Sequence, residues 1–177
     1  MAPGANLVEN VSSSSSLYLA NPNLVVDTVT VKDNPAPFMR FSGTSMAAAV
    51  ATGVVAQMLD ANRRAVTKCW GCDGQNVAPP LSPNTAKAIL HYTALVMPGY
   101  DPLTQGAGAI NGEGAERLAA AIDTRAAPGE SWLRSEVGPP SSVIGGGTYA
   151  WSSRVVWGDR VVWGDLSQAL VALSLIQ

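Results

Sequence analysis

The longest uninterrupted pattern is an alanine-rich stretch that contains no proline from Met46 to Asn62. Alanine is the best helix former and proline the worst, so the stretch predicts a helix from Thr44 to about Asn62. Its first three turns are apolar on nearly every side, which favours burial in the centre of a domain. The side chains there are small, so neighbouring backbones could approach it closely.

The segment before this helix has the character of β-structure. Leu24 to Val31 is rich in β-branched residues, and its second half alternates, which predicts a strand or a hairpin arm. Pro35 and Pro37 disfavour helix in the residues before them and predict an extended approach to Phe41.

Two further helices follow the alanine-rich one. Ser82 is a good helix cap, and Pro83 suits the first helical position, so a second helix is expected to begin there. A third is predicted from about Gly112 to Ala121. The glycines before it do not form a nucleotide-binding fingerprint, because Asn111 stands where the third glycine of G-x-G-x-x-G would be.

The character of the chain changes after Ala126. Residues 126–148 are rich in proline and glycine and are expected to form a linker. Residues 149–177 contain a repeat that returns tryptophan every six residues. In an extended strand an even period puts these tryptophans on one face. A hairpin around Gly158 is the alternative, and the repeats are too few to build a solenoid core.

Candidate chemistry is concentrated at the start of the alanine-rich helix. Gly43 allows a tight turn, and Thr44 and Ser45 are suited to the first turn. A serine at this place has its own N–H and the positive end of the helix beside it, where an oxyanion could be stabilised. The alternative is that Ser45 is only a helix cap.

Four segments resemble the subtilisin-like serine proteases, or subtilases, and they follow one another along the chain in the order found in that family. The most specific is the active-serine motif, and the others are an Ala-Pro-Gly segment, a later helix ending in Thr-Ala, and a closing Gly-x-Gly-x-x-Asn. They lie at Gly43–Ala48, Ala2–Gly4, Ser82–Ala94 and Gly106–Asn111. The chain departs from the family pattern where Ala49 and Val50 replace the usual Pro-His.

The resemblance implies an α/β fold. It predicts that residues 1–125 are the C-terminal portion of a three-layer α/β/α catalytic domain, with mostly helices and few strands, followed by the linker and a β-prone tail. It also implies that Ser45 is the nucleophile of peptide-bond hydrolysis. Ser45, Thr44 and Gly43 would then form the helix end at which the oxyanion is stabilised.

The rest of a catalytic triad does not match this sequence. In subtilisin, Asp and His precede Ser in the chain. Residues 1–44 contain no histidine, and the single histidine, His91, follows the serine and fits a structural role in a helix. Serine is a weak nucleophile without a positioned base, so this chain alone is expected to be inactive. The alternative function is a non-catalytic structural or binding module that carries the Trp-rich repeat.

Composition limits the partners. The net charge is −2, with no basic run, so nucleic acid is not an expected partner. No apolar stretch reaches about 20 residues, so no membrane association is expected either. The expected partners are a peptide or protein substrate and an upstream segment that bears Asp and His. By resemblance the parent protein is secreted, although no signal peptide is visible.

No cofactor is predicted. The resemblance allows for calcium, but no cluster of ligands in the sequence matches it. Cys69 and Cys72 form an isolated C-x-x-C, which lacks the second pair that zinc needs. A local disulfide or two free thiols is the expectation.

Overall fold

A computed structural model describes residues 1–67, 78–127 and 129–154. The chain divides into two compact units. Unit 1 comprises Met1 and Gly53–Gln177, and unit 2 comprises Ala2–Thr52. The longest helix crosses the boundary between them.

Unit 2 is built on a three-stranded antiparallel sheet. Its strands are β1 (Leu7–Asn10), β2 (Val25–Val31) and β3 (Asn34–Phe41), and they lie in the order β1-β3-β2. Lys32 and Asp33 connect β2 to β3, with φ of 49° and 63°. A two-residue hairpin loop of type I′ has positive φ at both positions, and its twist matches that of the strands. The strand predicted from Leu24 to Val31 is confirmed as β2.

β3 is the central strand despite its prolines. Asn34 pairs with Val31 in β2, and Phe41 pairs with Leu7 in β1. Pro37 and Met39 point to the same face and are fully buried. Between β1 and β2 the chain forms a short helix, α1 (Ser16–Ala20), and a 3-10 helix, Pro22–Leu24.

The alanine-rich segment forms α2 (Thr44–Thr67), which is 24 residues long and extends beyond the predicted end at Asn62. The prediction that its first turns are buried is wrong for the described residues. Met58 is the first side chain of α2 that is buried. The composition of a helix shows which side chains it can bury, but burial also needs a partner surface, and the described residues cover these turns only in part.

Unit 1 packs the second half of α2 with α3 (Pro83–Thr93) and α5 (Gly112–Ala121). α4 (Pro102–Gln105) is a single turn between them. The core of unit 1 consists of small and medium-sized apolar side chains, among them Met58, Leu81, Ile89, Ala115, Leu118 and Ile122.

Both predicted helix starts in unit 1 are confirmed. The Ser82 hydroxyl accepts a hydrogen bond from the Thr85 N–H at 3.1 Å, and Pro83 occupies the first turn of α3. At α5 the Asn111 side chain accepts from the Gly114 N–H at 3.1 Å. Each side chain satisfies a first-turn donor that has no partner within its helix.

A hairpin follows α5 in the chain. Its strands are β4 (Ser141–Ile144) and β5 (Gly147–Ala150), paired antiparallel. It lies in the span that the sequence assigns to the linker and to the start of the tail, and the boundaries at 126 and 148 stay predictions. Cys69, Cys72, Trp157 and Trp163 lie outside the described residues.

The architecture is a mixture of helices and small sheets, which confirms the predicted α/β class and fits a fragment of a subtilase fold. Among the described residues no helix has both the length and the apolar character that crossing a membrane would require.

Candidate functional site

Ser45 is the second residue of α2, and its side chain is exposed. The Gly43 carbonyl accepts the first hydrogen bonds of the helix, from the Met46 and Ala47 N–H groups, each at 3.2 Å. Gly43 is therefore the residue just before the helix, and Ser45 lies inside the first turn. This geometry is not that of a simple helix cap at Ser45.

The first turn of α2 points backbone donors away from the helix. An α-helix has no internal acceptor for its first N–H groups, and these include those of Thr44 and Ser45. The helix dipole adds partial positive charge at the same end. The exposed Ser45 hydroxyl thus lies beside the two features that stabilise an anion.

The turn before Ser45 is fixed by the Ala-Pro-Gly segment. The Gly43 N–H donates to the Gly4 carbonyl at 2.7 Å. A Cβ on Gly4 would lie 2.7 Å from the Gly43 oxygen and 2.9 Å from the Ala47 Cβ. Only glycine permits this approach, so the structure brings together two motifs that are far apart in the sequence.

A second contact ties the same two segments. The Asn6 N–H donates to the Ser42 hydroxyl at 2.9 Å. Asn6 has a φ of 57°, a conformation that asparagine tolerates better than most residues. The loop that presents Ser45 is therefore held by Gly4 and Asn6 on one side.

Unit 2 contains no general base for Ser45. Residues 2–52 include no histidine. Within unit 2, as far as the structure describes it, no side chain hydrogen-bonds to the Ser45 hydroxyl. A serine hydroxyl is a weak nucleophile unless a positioned base removes its proton.

His91 belongs to unit 1, near the end of α3. Burial lowers the pKa of its imidazole, and the positive charges of the Met1 amino group and Lys87 lower it further. Its Nδ1 is buried and lacks a hydrogen-bond partner among the described residues. Its own carbonyl accepts from the Ser152 hydroxyl at 2.6 Å, so the backbone at His91 takes part in packing.

The Gly106–Asn111 segment, the last motif of the family resemblance, contacts several other segments of unit 1. Asn111 is buried, and its amide donates to the Thr93 carbonyl and to the Ser142 hydroxyl, both at 2.9 Å. A Cβ on Gly108, which has a φ of 129°, would lie 2.2 Å from the Leu95 oxygen. This glycine thus permits the antiparallel bridge between Leu95 and the next residue, Ala109.

No metal site is evident in the described part of the chain. Over residues 1–67, 78–127 and 129–154, no group of three or more His, Cys, Asp or Glu side chains is placed to hold an ion.

An α/β protein with an exposed serine at the start of a long helix fits the class of serine hydrolases. The sequence model of the Subtilase family matches residues 1–128. The chain therefore belongs to the subtilase family, whose members are serine peptidases. No curated protein and no solved structure matches it.

One feature of the structure had only a weak signal in the sequence. Trp151, the first tryptophan of the repeat, is buried in unit 1 with an exposed fraction of 5%. The six-residue spacing between Trp151 and Trp157 predicts that both side chains lie on one face of a strand. It does not predict that Trp151 contacts α5. The contact with Gly114 depends on the tertiary structure alone.

Proposed function

We propose that Ser45 is the nucleophile of a subtilisin-like serine endopeptidase. Its hydroxyl oxygen would attack the carbonyl carbon of a peptide bond and form an acyl-enzyme, while the hydroxyl proton passes to a base. Water would then release the acyl group and restore the hydroxyl. The N–H groups at the start of α2 would stabilise the oxyanion of each tetrahedral intermediate.

The observation that carries this proposal is the exposed position of Ser45 in the first turn of α2. A serine that served only to cap the helix would occupy position 43, where this chain has Gly43. The hydrogen bond from the Gly43 N–H to the Gly4 carbonyl holds the preceding turn in place before any substrate binds. Preorganised donors of this kind supply a large part of catalysis in acyl transfer.

The base and its orienting acid are proposed to come from a segment outside residues 1–177. The first turns of α2 fit such an arrangement, because within the helix no side chain before Met58 is buried although the helix is rich in alanine and valine. A segment bearing Asp and His would cover this apolar surface and complete the triad. This chain alone is then expected to be inactive.

A fluorophosphonate probe tests the proposal, since it reacts with an activated serine hydroxyl. We expect little labelling of the chain alone and strong labelling once a segment bearing Asp and His is joined to it. Ser45→Ala should abolish labelling of the joined protein. Ser16→Ala is the matched control, because Ser16 is also an exposed serine at the start of a helix, and it should retain labelling.

Two results would count against Ser45 as the nucleophile. One is a joined protein that folds and binds peptide but takes up no probe. The other is labelling that persists in Ser45→Ala. Mass spectrometry of the labelled peptide identifies the modified residue in either case.

The proposed substrate is a peptide or protein chain, and the proposed location of the parent enzyme is extracellular. Both rest on membership of the family. Neither nucleic acid nor a membrane is a proposed partner.

A second function, a non-catalytic binding or structural module, is favoured by one observation. Trp151 is packed against α3 and α5. Its indole is not available to an external ligand while it remains there, so the packing favours a structural role. A folded chain that never gains probe labelling with any Asp/His segment would support this second function.

A further inference from the structure

The indole ring of Trp151 occupies a fitted socket in unit 1. A Cβ on Gly114 would lie 2.9 Å from two atoms of the ring, so only glycine leaves room for it. The Arg117 guanidinium carbon lies 4.6 Å from the ring centroid, and the Tyr92 ring meets it edge-on at 6.1 Å. The Trp151 Nε1–H donates to the Ser142 hydroxyl at 3.0 Å. We define the Trp151 socket as Tyr92, Gly114, Arg117 and Ser142.

The polar end of the socket is satisfied. The Ser142 hydroxyl accepts from the Trp151 indole and from the Asn111 amide, and it donates to the Glu113 carboxylate. Ser142 has an exposed fraction of 2%. An empty socket would leave one acceptor lone pair of this buried hydroxyl unpaired and the indole-shaped gap unfilled.

The three residues after Trp151 make two backbone contacts, which any sequence could supply, and one contact that needs an arginine side chain. The Ser152 N–H donates to the Ala94 carbonyl at 2.7 Å, and the Ser153 N–H donates to the Tyr92 carbonyl at 3.0 Å. Ser153 has a φ of 55°, in the left-handed region. The Arg154 side chain donates to the Gly106 carbonyl at 3.4 Å.

The next repeat of the chain meets the same requirements. Trp157-Gly158-Asp159-Arg160 supplies an indole, two backbone N–H groups and an arginine in the same order as residues 151–154. Aspartate tolerates the left-handed conformation better than most residues, so Asp159 suits the position that Ser153 occupies. Only the hydroxyl of Ser152, which bonds to the His91 carbonyl, has no equivalent in Gly158.

We propose that the Trp151 socket is a binding site for the Trp-x-x-Arg sequence of the chain's own tail, and that Trp157–Arg160 is its second ligand. The two ligands differ in register by the repeat period of six residues. When the second binds, residues 151–156 lengthen the connection from β5. Loop closure entropy grows only slowly with length, so this lengthening is tolerated. Covalent attachment keeps the second ligand at high effective concentration.

The test uses the full chain labelled with 5-fluorotryptophan, with Trp151→Ala, Trp157→Ala and the double variant compared. Solvent shielding of each indole is read from the change of its fluorine resonance between H2O and D2O. We expect Trp151→Ala to keep one shielded resonance that the double variant loses. Relative to the unsubstituted chain, the urea midpoint of Trp151→Ala should fall by less than half of the decrease seen in the double variant.

Further variants separate the contribution of the ligand from that of the socket. Trp157→Ala alone should change neither the shielded resonance nor the midpoint, because Trp151 remains in place. Gly114→Ala closes the socket to both indoles and should lower the midpoint as far as the double variant does. Adding Arg160→Ala to Trp151→Ala should lower the midpoint further, whereas adding Leu166→Ala should not.

Three outcomes would overturn the proposal. One is a Trp151→Ala variant that is unfolded, and another is a Trp151→Ala variant that matches the double variant in midpoint and shielding. The third is a shielded resonance that the double variant keeps and that is lost when Trp163→Ala is added, since Trp163 lacks the arginine of the proposed sequence.

Discussion

The Gly43 N–H and the Gly4 carbonyl form a hydrogen bond of 2.7 Å that fixes the turn before Ser45. The bond joins the first motif of the family resemblance to the second. It forms because Gly4 has no Cβ, which would lie 2.7 Å from the Gly43 oxygen. The position of the proposed nucleophile therefore depends on a residue that takes no part in chemistry.

Gly4→Ala is expected to disrupt this turn. The new methyl group would lie 2.7 Å from the Gly43 oxygen and 2.9 Å from the Ala47 Cβ, so the backbone must shift. Overpacking of this kind costs about 1–3 kcal/mol. Hydrogen exchange of the Gly43 amide measures the effect, and we expect it to become faster.

Gly53→Ala is the control for that substitution. A Cβ there meets nothing within 4 Å, and Gly53 lies in the interior of α2. Alanine should stabilise the helix by about 0.5–1 kcal/mol and leave exchange at Gly43 unchanged. Unaltered exchange in Gly4→Ala would show that the close approach is not needed.

Ser142→Ala is expected to destabilise unit 1 by about 1–3 kcal/mol. The substitution removes the acceptor of the Trp151 indole and one acceptor of the Asn111 amide, both of which are buried. The free energy of unfolding from a urea titration measures the loss. Ser141→Ala, on the neighbouring residue of β4, should change stability by less than about 0.5 kcal/mol. Equal losses of stability in the two variants would rule out the hydrogen bonds of the Ser142 hydroxyl as the cause.

Asn62→Leu is expected to lower stability by about 1–3 kcal/mol. The buried Asn62 amide donates to the Ala119 carbonyl at 2.8 Å and to the Ile122 carbonyl at 3.0 Å, near the end of α5. Leucine keeps the volume but leaves those carbonyls without that donor. Asn84→Leu, at an exposed position of α3, is the control and should be nearly neutral. Thermal unfolding compares the two, and a neutral Asn62→Leu would contradict the argument.

The stability of unit 1 should fall as the pH drops below about 6.5. Burial lowers the pKa of His91 in the folded state relative to the ordinary value of 6.5, and the Met1 amino group and Lys87 add to the effect. The unfolded state therefore takes up a proton first, and acid favours unfolding. The loss begins near pH 6.5 and ends once the pH is below the pKa of the folded state.

Urea unfolding over a series of pH values measures this slope. His91→Gln removes the titrating group, so its profile should be flatter than that of the unsubstituted chain in this window. Acidic groups such as Asp60 and Asp101, whose pKa values are also lowered, act in both proteins. If the two profiles are parallel, protonation of His91 does not contribute.

The local elements of this protein were predictable because their signals are local. Ser82 and Pro83 predicted the start of α3, and the β-branched run predicted β2. The bounds of α5 were predicted as Gly112–Ala121, where the Asn111 cap and the backbone hydrogen bonds act within a few residues. The candidate site was predictable for the same reason, since Gly43, Thr44 and Ser45 are consecutive in the sequence.

The sequence by itself determined the family, the order of the three long helices and the residue proposed to attack substrate. Each of these depends on residue identities at short spacing. Only the tertiary structure decided that Gly4 lies against Gly43, that the first turns of α2 are not buried, and that Trp151 occupies a socket beside Gly114. Such contacts join residues far apart in the chain, and they depend on the space that other elements leave, which no local pattern records.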